Sequence, residues 1–244
     1  MILSTDYHRA LENLPLATFE TMVGDRDIFV IAPHPDDESL GCGGLLAWAA
    51  SNGRRVKIVF LTDGEASHPG STVTPALRLA KIRMREAELA AAQLGVASSS
   101  LEFMHLQDGS LPMMSALSVT TVAEQLRHMV EQLAPCVVCV TASTDPHGDH
   151  QRAYELAAEA VRGLASCRLF AYPVWSWVLP KGLSLPAPCG YRVDISAARE
   201  KKANAIAAHS SQHGRVVRDS PAAFVLPKLL LERLARGYEV YLET

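Results

Sequence analysis

The sequence predicts an α/β fold of Rossmann-like type: a mostly parallel β-sheet flanked by helices, with an aromatic and proline-rich C-terminal hairpin or loop insertion. Three observations predict it. Short β-branched runs alternate with longer helical patterns, the signature of β-α-β units. A long stretch with apolar positions at helical spacing stops at Gly95, a helix-ending residue. Three polar clusters follow directly on strand-like runs, at the carboxyl ends where open α/β sheets bind ligands.

The elements follow in order. "DIFVIAP" (27 to 33) reads as the first strand, and "SLGCGGLLAWAASNG" as the helix after it, entered through a glycine-rich start and left at Asn-Gly. "RVKIVFLT" (55 to 62) and the helix of "PALRLAKIRMREAELAAAQLG" form the second unit. "LEFMHL" (101 to 106) with "SALSVTTVAEQLRHMVEQLA" forms the third, and "CVVCVTA" (136 to 142) with "HQRAYELAAEAVRGLA" the fourth. "RLFAYPV" (168 to 174) is the fifth strand. The rhythm then breaks at "YPVWSWVLPKGLSLPAPCGYRVDIS", which reads as a long loop or hairpin, before two more helical segments and a closing strand "YEVYLE". One domain over 1-244 is expected, with 1-26 as an N-terminal arm and 173-191 as a lid or hairpin insertion.

Composition narrows the class. The 244 residues are 48% hydrophobic and 20% charged, enough apolar material for a full core. The formal net charge is -3 with both signs scattered, so no footprint for nucleic acid is visible. No segment is apolar for long enough to span a bilayer, and "MILSTDYHRALENLPLATFE" lacks a basic stretch followed by an apolar run, so a cytoplasmic protein without membrane insertion is expected. Five cysteines at irregular spacing point to reduced thiols. "CVVC" lies in a Val-rich strand with no second pair, which favours a structural reading over a redox or zinc motif.

The chemistry concentrates in "HPDDE", "TDGEASH" and "STDPHGDH". Acidic side chains crowded at one turn repel one another and lose hydration unless something positive sits among them, and a metal cation is the obvious candidate. His34 and Asp37 follow an H-x-x-D pattern across a tight turn, so both can point at one ion. A third ligand must come from elsewhere, and His147, Asp149 and His150 are offered at the mouth of a later helix. Two His and one carboxylate with an open position make a catalytic zinc site.

These motifs resemble those of the PIG-L/LmbE-like zinc-dependent N-deacetylases, whose members remove acetyl from N-acetylglucosaminyl groups. The resemblance rests on "APHPDDESLGCGG", on "TDGE" (62 to 65), on "RMREAELAAAQLG" (83 to 95), on "HGDH" (147 to 150) and on "KANAIAAHSSQ" (202 to 212). It implies His34, Asp37 and His150 as ligands of one Zn2+ per chain, with Fe2+ or another divalent metal as a substitute. It implies Asp36 as general base and His147 as the group that stabilises the oxyanion, with Asp149 orienting it. An adjacent carboxylate is expected to raise the His147 pKa and keep it protonated. Gly148 stands where the family often has Pro, which loosens that turn.

The implied reaction is hydrolysis of a linear amide C-N bond in an N-acetyl amino sugar, carried as a glycoside or a glycosylated metabolite. Arg83, at the family's R-x-x-E position, and Asp108, in "LQDGS", are expected to grip sugar hydroxyls. Trp175 and Trp177 alternate, so one can face out and stack on a sugar ring while the other packs inward. His68, His105 and His209 are expected to be structural or exposed, and Trp48 to lie in the core. The aromatic C-terminal third is compatible with a homo-oligomer. Two competing classes use the same residues: a non-haem Fe(II) enzyme with a two-His, one-carboxylate set, and a non-catalytic metal or sugar binder.

Overall fold

The computed structural model describes residues 1–244 and carries the predicted alternation through four β-α units and a fifth strand. In chain order the elements are β1 (Ile2–Leu3), α1 (Ser4–Glu12), β2 (Leu16–Ala17), α2 (Phe19–Val23), β3 (Asp27–Ala32), α3 (Asp37–Ser51), β4 (Val56–Thr62), α4 (Ala76–Leu94), β5 (Leu101–Leu106), α5 (Ala116–Leu133), β6 (Cys136–Thr141), α6 (Gly148–Val161), β7 (Arg168–Tyr172), β8 (Ser184–Leu185), β9 (Gly190–Asp194), α7 (Arg199–Ala208), α8 (Lys228–Leu234) and β10 (Tyr238–Glu243). Two helices begin earlier than the apolar pattern suggests, α3 at Asp37 and α6 at Gly148, because Asp36 and His147 stand at their N-caps and polar residues fill the first turns.

An eight-stranded sheet runs in the order β2-β9-β10-β7-β6-β3-β4-β5. Neighbours pair in parallel except β10, which is antiparallel to both β7 and β9. From β3 the chain builds outward through β4 and β5, then returns to the other side of β3 for β6 and β7. The crevice at that reversal lies between the carboxyl ends of β3 and β6, the position that doubly wound sheets use for ligands.

Each face of the sheet has its own core. One is centred on α3, α4, α7 and α8 and takes Val30, Leu45, Phe60, Leu94, Tyr172 and Tyr241; the other lies under α5 and α6 and takes Phe29, Ile31, Leu126, Val138 and Leu156. Cys136 and Cys139 fall into different cores because residues three apart on a strand point to opposite faces. The "CVVC" thiols therefore cannot act as a pair.

The N-terminal segment is packed rather than loose: Tyr7 and Leu11 of α1 are buried, and β2 extends the sheet beside β9. The 173-191 stretch does not close on itself as a hairpin. Trp175–Val178 form a 3-10 turn, β8 pairs with β1, and β9 enters the main sheet against β10. Pro180, Pro186 and Pro188 remove ladder donors inside the stretch, so its strands find partners elsewhere.

The helix that carries the first motif is itself interrupted. Cys42 leaves helical geometry (φ -135°, ψ 24°), and the amides of Gly44 and Leu45 donate to the Glu239 carboxylate at 2.6 and 3.0 Å, as to an N-cap. Lys202 Nζ and the Tyr241 hydroxyl also donate to that carboxylate, each at 2.6 Å. Gly41, one residue before the break, lies flat against a ring: a Cβ there would sit 1.9 Å from Tyr172 Cδ2. Tyr172 is fully buried and its hydroxyl donates to the Ile31 carbonyl at 3.2 Å, so it cannot yield. Gly41→Ala is expected to cost about 3 kcal/mol by overpacking, seen as a lower denaturant midpoint; an unshifted midpoint would refute this close approach.

Candidate metal centre and active site

The turn after β3 is set by its own side chains. The amide of Asp37 donates to the His34 carbonyl at 3.3 Å, and the Asp37 carboxylate accepts in return from the His34 amide at 3.0 Å. This folds both side chains to one side. Asp37 Oδ2 then lies 3.2 Å from His34 Nδ1 and 3.3 Å from His150 Nε2. The donor atoms of His34, Asp37 and His150 all fall within 4.8 Å of one another, and all three residues are buried. His150 Nε2 is buried without a hydrogen-bond partner, as a nitrogen reserved for a metal would be.

The other ring nitrogens are pinned by carboxylates, as in histidines that ligate metals. His150 Nδ1 meets Asp145 Oδ2 at 2.9 Å. His34 Nε2 meets Asp149 Oδ2 at 3.2 Å and Asp108 Oδ1 at 3.1 Å. Burial works against charge on His150, yet Asp37 and Asp145 outweigh it and hold its pKa at about 9. Burial would likewise raise Asp37, but the two imidazoles drive it far below the usual carboxylate range. The cluster thus keeps protons on both histidines around one anion, which is the charge a dication replaces on binding as those protons leave. The residues present fit a divalent metal.

Asp36 stands beside the cluster and outside it. Its backbone is held at φ 154°, a strained position that its surroundings must maintain. The Glu38 carboxylate accepts from its amide at 3.0 Å, and Arg83 Nη2 lies 3.2 Å from its Oδ1. Burial lifts the Asp36 carboxyl to about 6, with Arg83 pulling it down and Asp37 pushing it up. Arg83 is only 3% exposed and also donates to the carbonyls of Gly64 and Pro35 at 2.9 and 2.8 Å. Its guanidinium, expected to grip sugar hydroxyls, is engaged by Asp36 and these two carbonyls while it lines the cleft.

Two expectations need correction. The Asp149 carboxylate does not bond to His147. It takes the amides of Gly109 and Leu111 at 2.8 and 3.1 Å and faces His34, while the Asp149 amide donates to His147 Nδ1 at 3.2 Å. His147 is the N-cap of α6 with extended backbone, and a ring nitrogen still lies within 4.8 Å of the Asp149 carboxylate, but that carboxylate spends its bonds on His34 and the 109–111 loop. His147 is not held protonated either. Burial, then the charges of His34 and His150, push it down to about 4, and the accepting Nδ1 leaves a neutral ring with Nε2–H for the cleft. Asp108, expected on the substrate, lines the cleft, where it accepts from the Ala66 amide at 2.8 Å and backs His34.

His34, Asp36, Asp37, Arg83, Asp108 and His147 line a cleft of about 560 Å³. Its walls include Trp175, Phe224, Leu226 and Leu40, with Ser67 and Gln212 beside Phe224 and Leu226, to which they are joined by backbone hydrogen bonds. Trp175 is half-buried and meets Phe224 edge-on, ring centroids 5.9 Å apart, while Trp177 packs inward as the alternation suggested. His209 is buried next to Glu38 behind Asp36; His68 is buried beside Ser67, and His105 is exposed against Asp63. None of these three belongs to the donor cluster. Trp48, expected in the core, packs at its edge and donates from Nε1 to Glu20 at 3.0 Å.

Sequence reasoning missed Asp145, Gln212 and Phe224. Asp145 stood inside "STDPHGDH" and could have been found as a carboxylate close to a helix-mouth histidine. Gln212 closes "HSSQ", whose Ser211 donates to Glu86 from both amide and hydroxyl at 2.7 and 2.6 Å, so the arginine-containing motif and the serine-glutamine motif hold each other. Phe224 lies in a loop with no pattern to mark it.

The family model for PIG-L, described as GlcNAc-PI de-N-acetylase, matches residues 29–161. A 1D-myo-inositol 2-acetamido-2-deoxy-alpha-D-glucopyranoside deacetylase of Actinosynnema mirum is 29% identical over 163 residues, covering 58% of this chain and 56% of that protein. A diacetylchitobiose deacetylase of Thermococcus kodakarensis is 28% identical over 195 residues, covering 77% of this chain and 70% of the relative. The chain thus spans about half the length of the first relative. Among solved structures, the conserved protein TT1542 from Thermus thermophilus superposes with a TM-score of 0.64 at 27% identity, over 89% of this chain and 94% of that one. With the match running through more than half of its residues and both site-forming turns inside the matched span, the chain belongs to the PIG-L family.

Proposed function

We propose that the protein is a metal-dependent hydrolase that removes the acetyl group from an N-acetylglucosamine-type amino sugar, presented as a glycoside or a glycosylated metabolite. The convergence of His34, Asp37 and His150 beside the unligated Asp36 carries this reading. Deacetylation of N-acetylated sugars by the relatives supports the substrate class. His34, Asp37 and His150 would hold one divalent ion per chain, which we assign as zinc, since imidazole and carboxylate donors suit it.

Such an ion, when bound, supplies Lewis acidity at the amide carbonyl and makes an adjacent water acidic near neutral pH. The residues do the rest. Asp36, a base on the cleft floor kept in place by Arg83, takes the proton of the attacking water and passes it to the departing amine. His147 donates through Nε2–H to the carbonyl oxygen as that oxygen gains charge. A neutral imidazole serves here, because a donor aimed at developing charge need not itself be charged. Trp175, with Phe224 against its edge, offers an apolar surface for the face of a sugar ring. Asp108 and Asp149 hold His34, and Asp145 holds His150, at the angle that aims their free nitrogens inward.

The test is a screen of N-acetylated amino sugars for primary amine release by zinc-loaded protein. Release is expected for an N-acetylglucosaminide, loss of at least about 100-fold in rate after chelation, given the typical cost of losing an oxyanion stabiliser, and recovery on adding zinc back. Undiminished release after chelation, or a metal-loaded protein that frees no amine from any such sugar, counts against the proposal. Oxygen consumption with a cosubstrate would favour the iron alternative. A binder without catalysis has no use for Asp36, which touches none of the three metal donors in this arrangement.

A further inference from the structure

Asp145 is fully buried, and its two oxygens accept five hydrogen bonds. Oδ2 takes His150 Nδ1 at 2.9 Å and the amides of Val174 and Trp175, both at 3.1 Å. Oδ1 takes the Ser176 amide at 2.7 Å and the Ser176 hydroxyl. One carboxylate therefore grips a metal-site histidine on one side and three successive residues of the cleft wall on the other. The grip reaches further out: Thr144 Oγ1 lies 2.9 Å from Ser176 Oγ and 3.2 Å from the Tyr7 hydroxyl of α1.

A carboxylate shielded from solvent depends on every donor it has, and bonds that share one acceptor group polarise and constrain one another. Asp145 holds the proton on His150 Nδ1, and so leaves Nε2, beside Asp37, as the nitrogen that a metal would take once its own proton has left. The carboxylate is itself oriented chiefly by residues 174–176, which supply four of its five donors. Loosening that wall frees the carboxylate to turn, and His150 turns with it. The reverse also holds, since coupling between two sites is reciprocal.

We infer that Asp145 is a positioning residue that couples occupancy of the metal site to the placement of the 174–176 wall, so that the metal-loaded protein presents Trp175 in register for a sugar ring. The inference rests on the metal reading above. It differs from simple second-sphere support because it ties metal affinity to Ser176, a residue that touches none of the three ligands and does not line the cleft.

Zinc affinity measured by competition with a chromophoric chelator tests it. Asp145→Asn is expected to bind zinc about 10- to 100-fold more weakly, and Ser176→Ala about fivefold more weakly, the equivalent of one ordinary hydrogen bond. Zinc should also change the tryptophan emission of the wild-type protein, Trp175→Phe should abolish that change, and Ser176→Ala should reduce it. A merely structural Ser176 would lower Tm and leave zinc affinity where it was, and that result overturns the coupling. Wild-type emission indifferent to zinc that binds normally overturns it too. A wild-type protein that binds no zinc overturns the metal reading and the coupling together, which separates the two failures. Should Asp145→Asn not fold, Ser176→Ala carries the test, since it deletes one hydroxyl and keeps the Ser176 amide bond to Asp145.

Discussion

Asp36→Asn is expected to lower kcat by about 10²- to 10⁴-fold, the contribution of a positioned general base, while the protein still binds one zinc per chain. The two halves of this result come from separate features. Asparagine keeps the shape of the side chain and an oxygen for Arg83, so the turn after β3 should persist, but the amide cannot take a proton from water. The three donors of the metal cluster are untouched, because Asp36 lies outside it. Asp37→Asn makes the contrast: it removes the anion that His34 and His150 share at 3.2 and 3.3 Å, so metal content and turnover should fall together. Metal analysis alongside single-turnover rates distinguishes them. Turnover within tenfold of wild type in Asp36→Asn would show that the base lies elsewhere, and loss of zinc in that variant would place Asp36 among the ligands.

Arg83 explains why the neighbouring acids are so different although they adjoin in sequence. Asp36 faces a guanidinium that is itself shared with two carbonyls, so burial still lifts its pKa to about 6. Asp37 faces two imidazoles and drops far below the usual range. One carboxyl titrates near neutral pH and the other stays an anion, the kind of separation on which the proposed base role of Asp36 draws.

How much of this was legible in the sequence depends on the reach of each interaction. The strands were readable because β-branched runs record local burial, and the end of α4 because Gly95 adopts the left-handed geometry (φ 81°) that glycine favours. The H-x-x-D turn was readable because its bonds close within three residues. Misreadings arose where sequence neighbours were assumed to be partners. Asp149 is two residues from His147 but serves His34, and Asp108 belongs to the same imidazole from a different loop. The role of Asp145 depends on a wall that arrives about thirty residues later. Glu239 was hidden for another reason: "YEVYLE" reads as a strand, and nothing within it tells which face is inside.

Glu239 leads to the largest stability effect expected of the fold. Its carboxylate is buried with Lys202, both 3% exposed, and also caps the second half of α3 through Gly44 and Leu45. Removing one member of a buried pair leaves the other charge without compensation and typically costs about 3 to 5 kcal/mol. Lys202→Met should therefore destabilise strongly, on the order of 10 °C in Tm for a chain of this size. Glu239→Gln should be comparable, because each carboxylate oxygen accepts from one α3 amide and the new NH2 group would face one of them. The double variant should recover part of the loss: a neutral glutamine can still accept from one α3 amide through its oxygen, and no ammonium is left to satisfy. A double-mutant cycle in guanidinium chloride measures this directly. Additive losses, or a cost below about 1 kcal/mol for Lys202→Met, typical of an exposed pair, would mean that the helix break is held by packing alone. The catalytic turn bears on the outcome, since Asp36 and Asp37 open the same helix whose second half Glu239 caps. A weakened cap should then lower zinc affinity in Lys202→Met, although the Lys202 ammonium bonds to Glu239 and to none of the metal ligands.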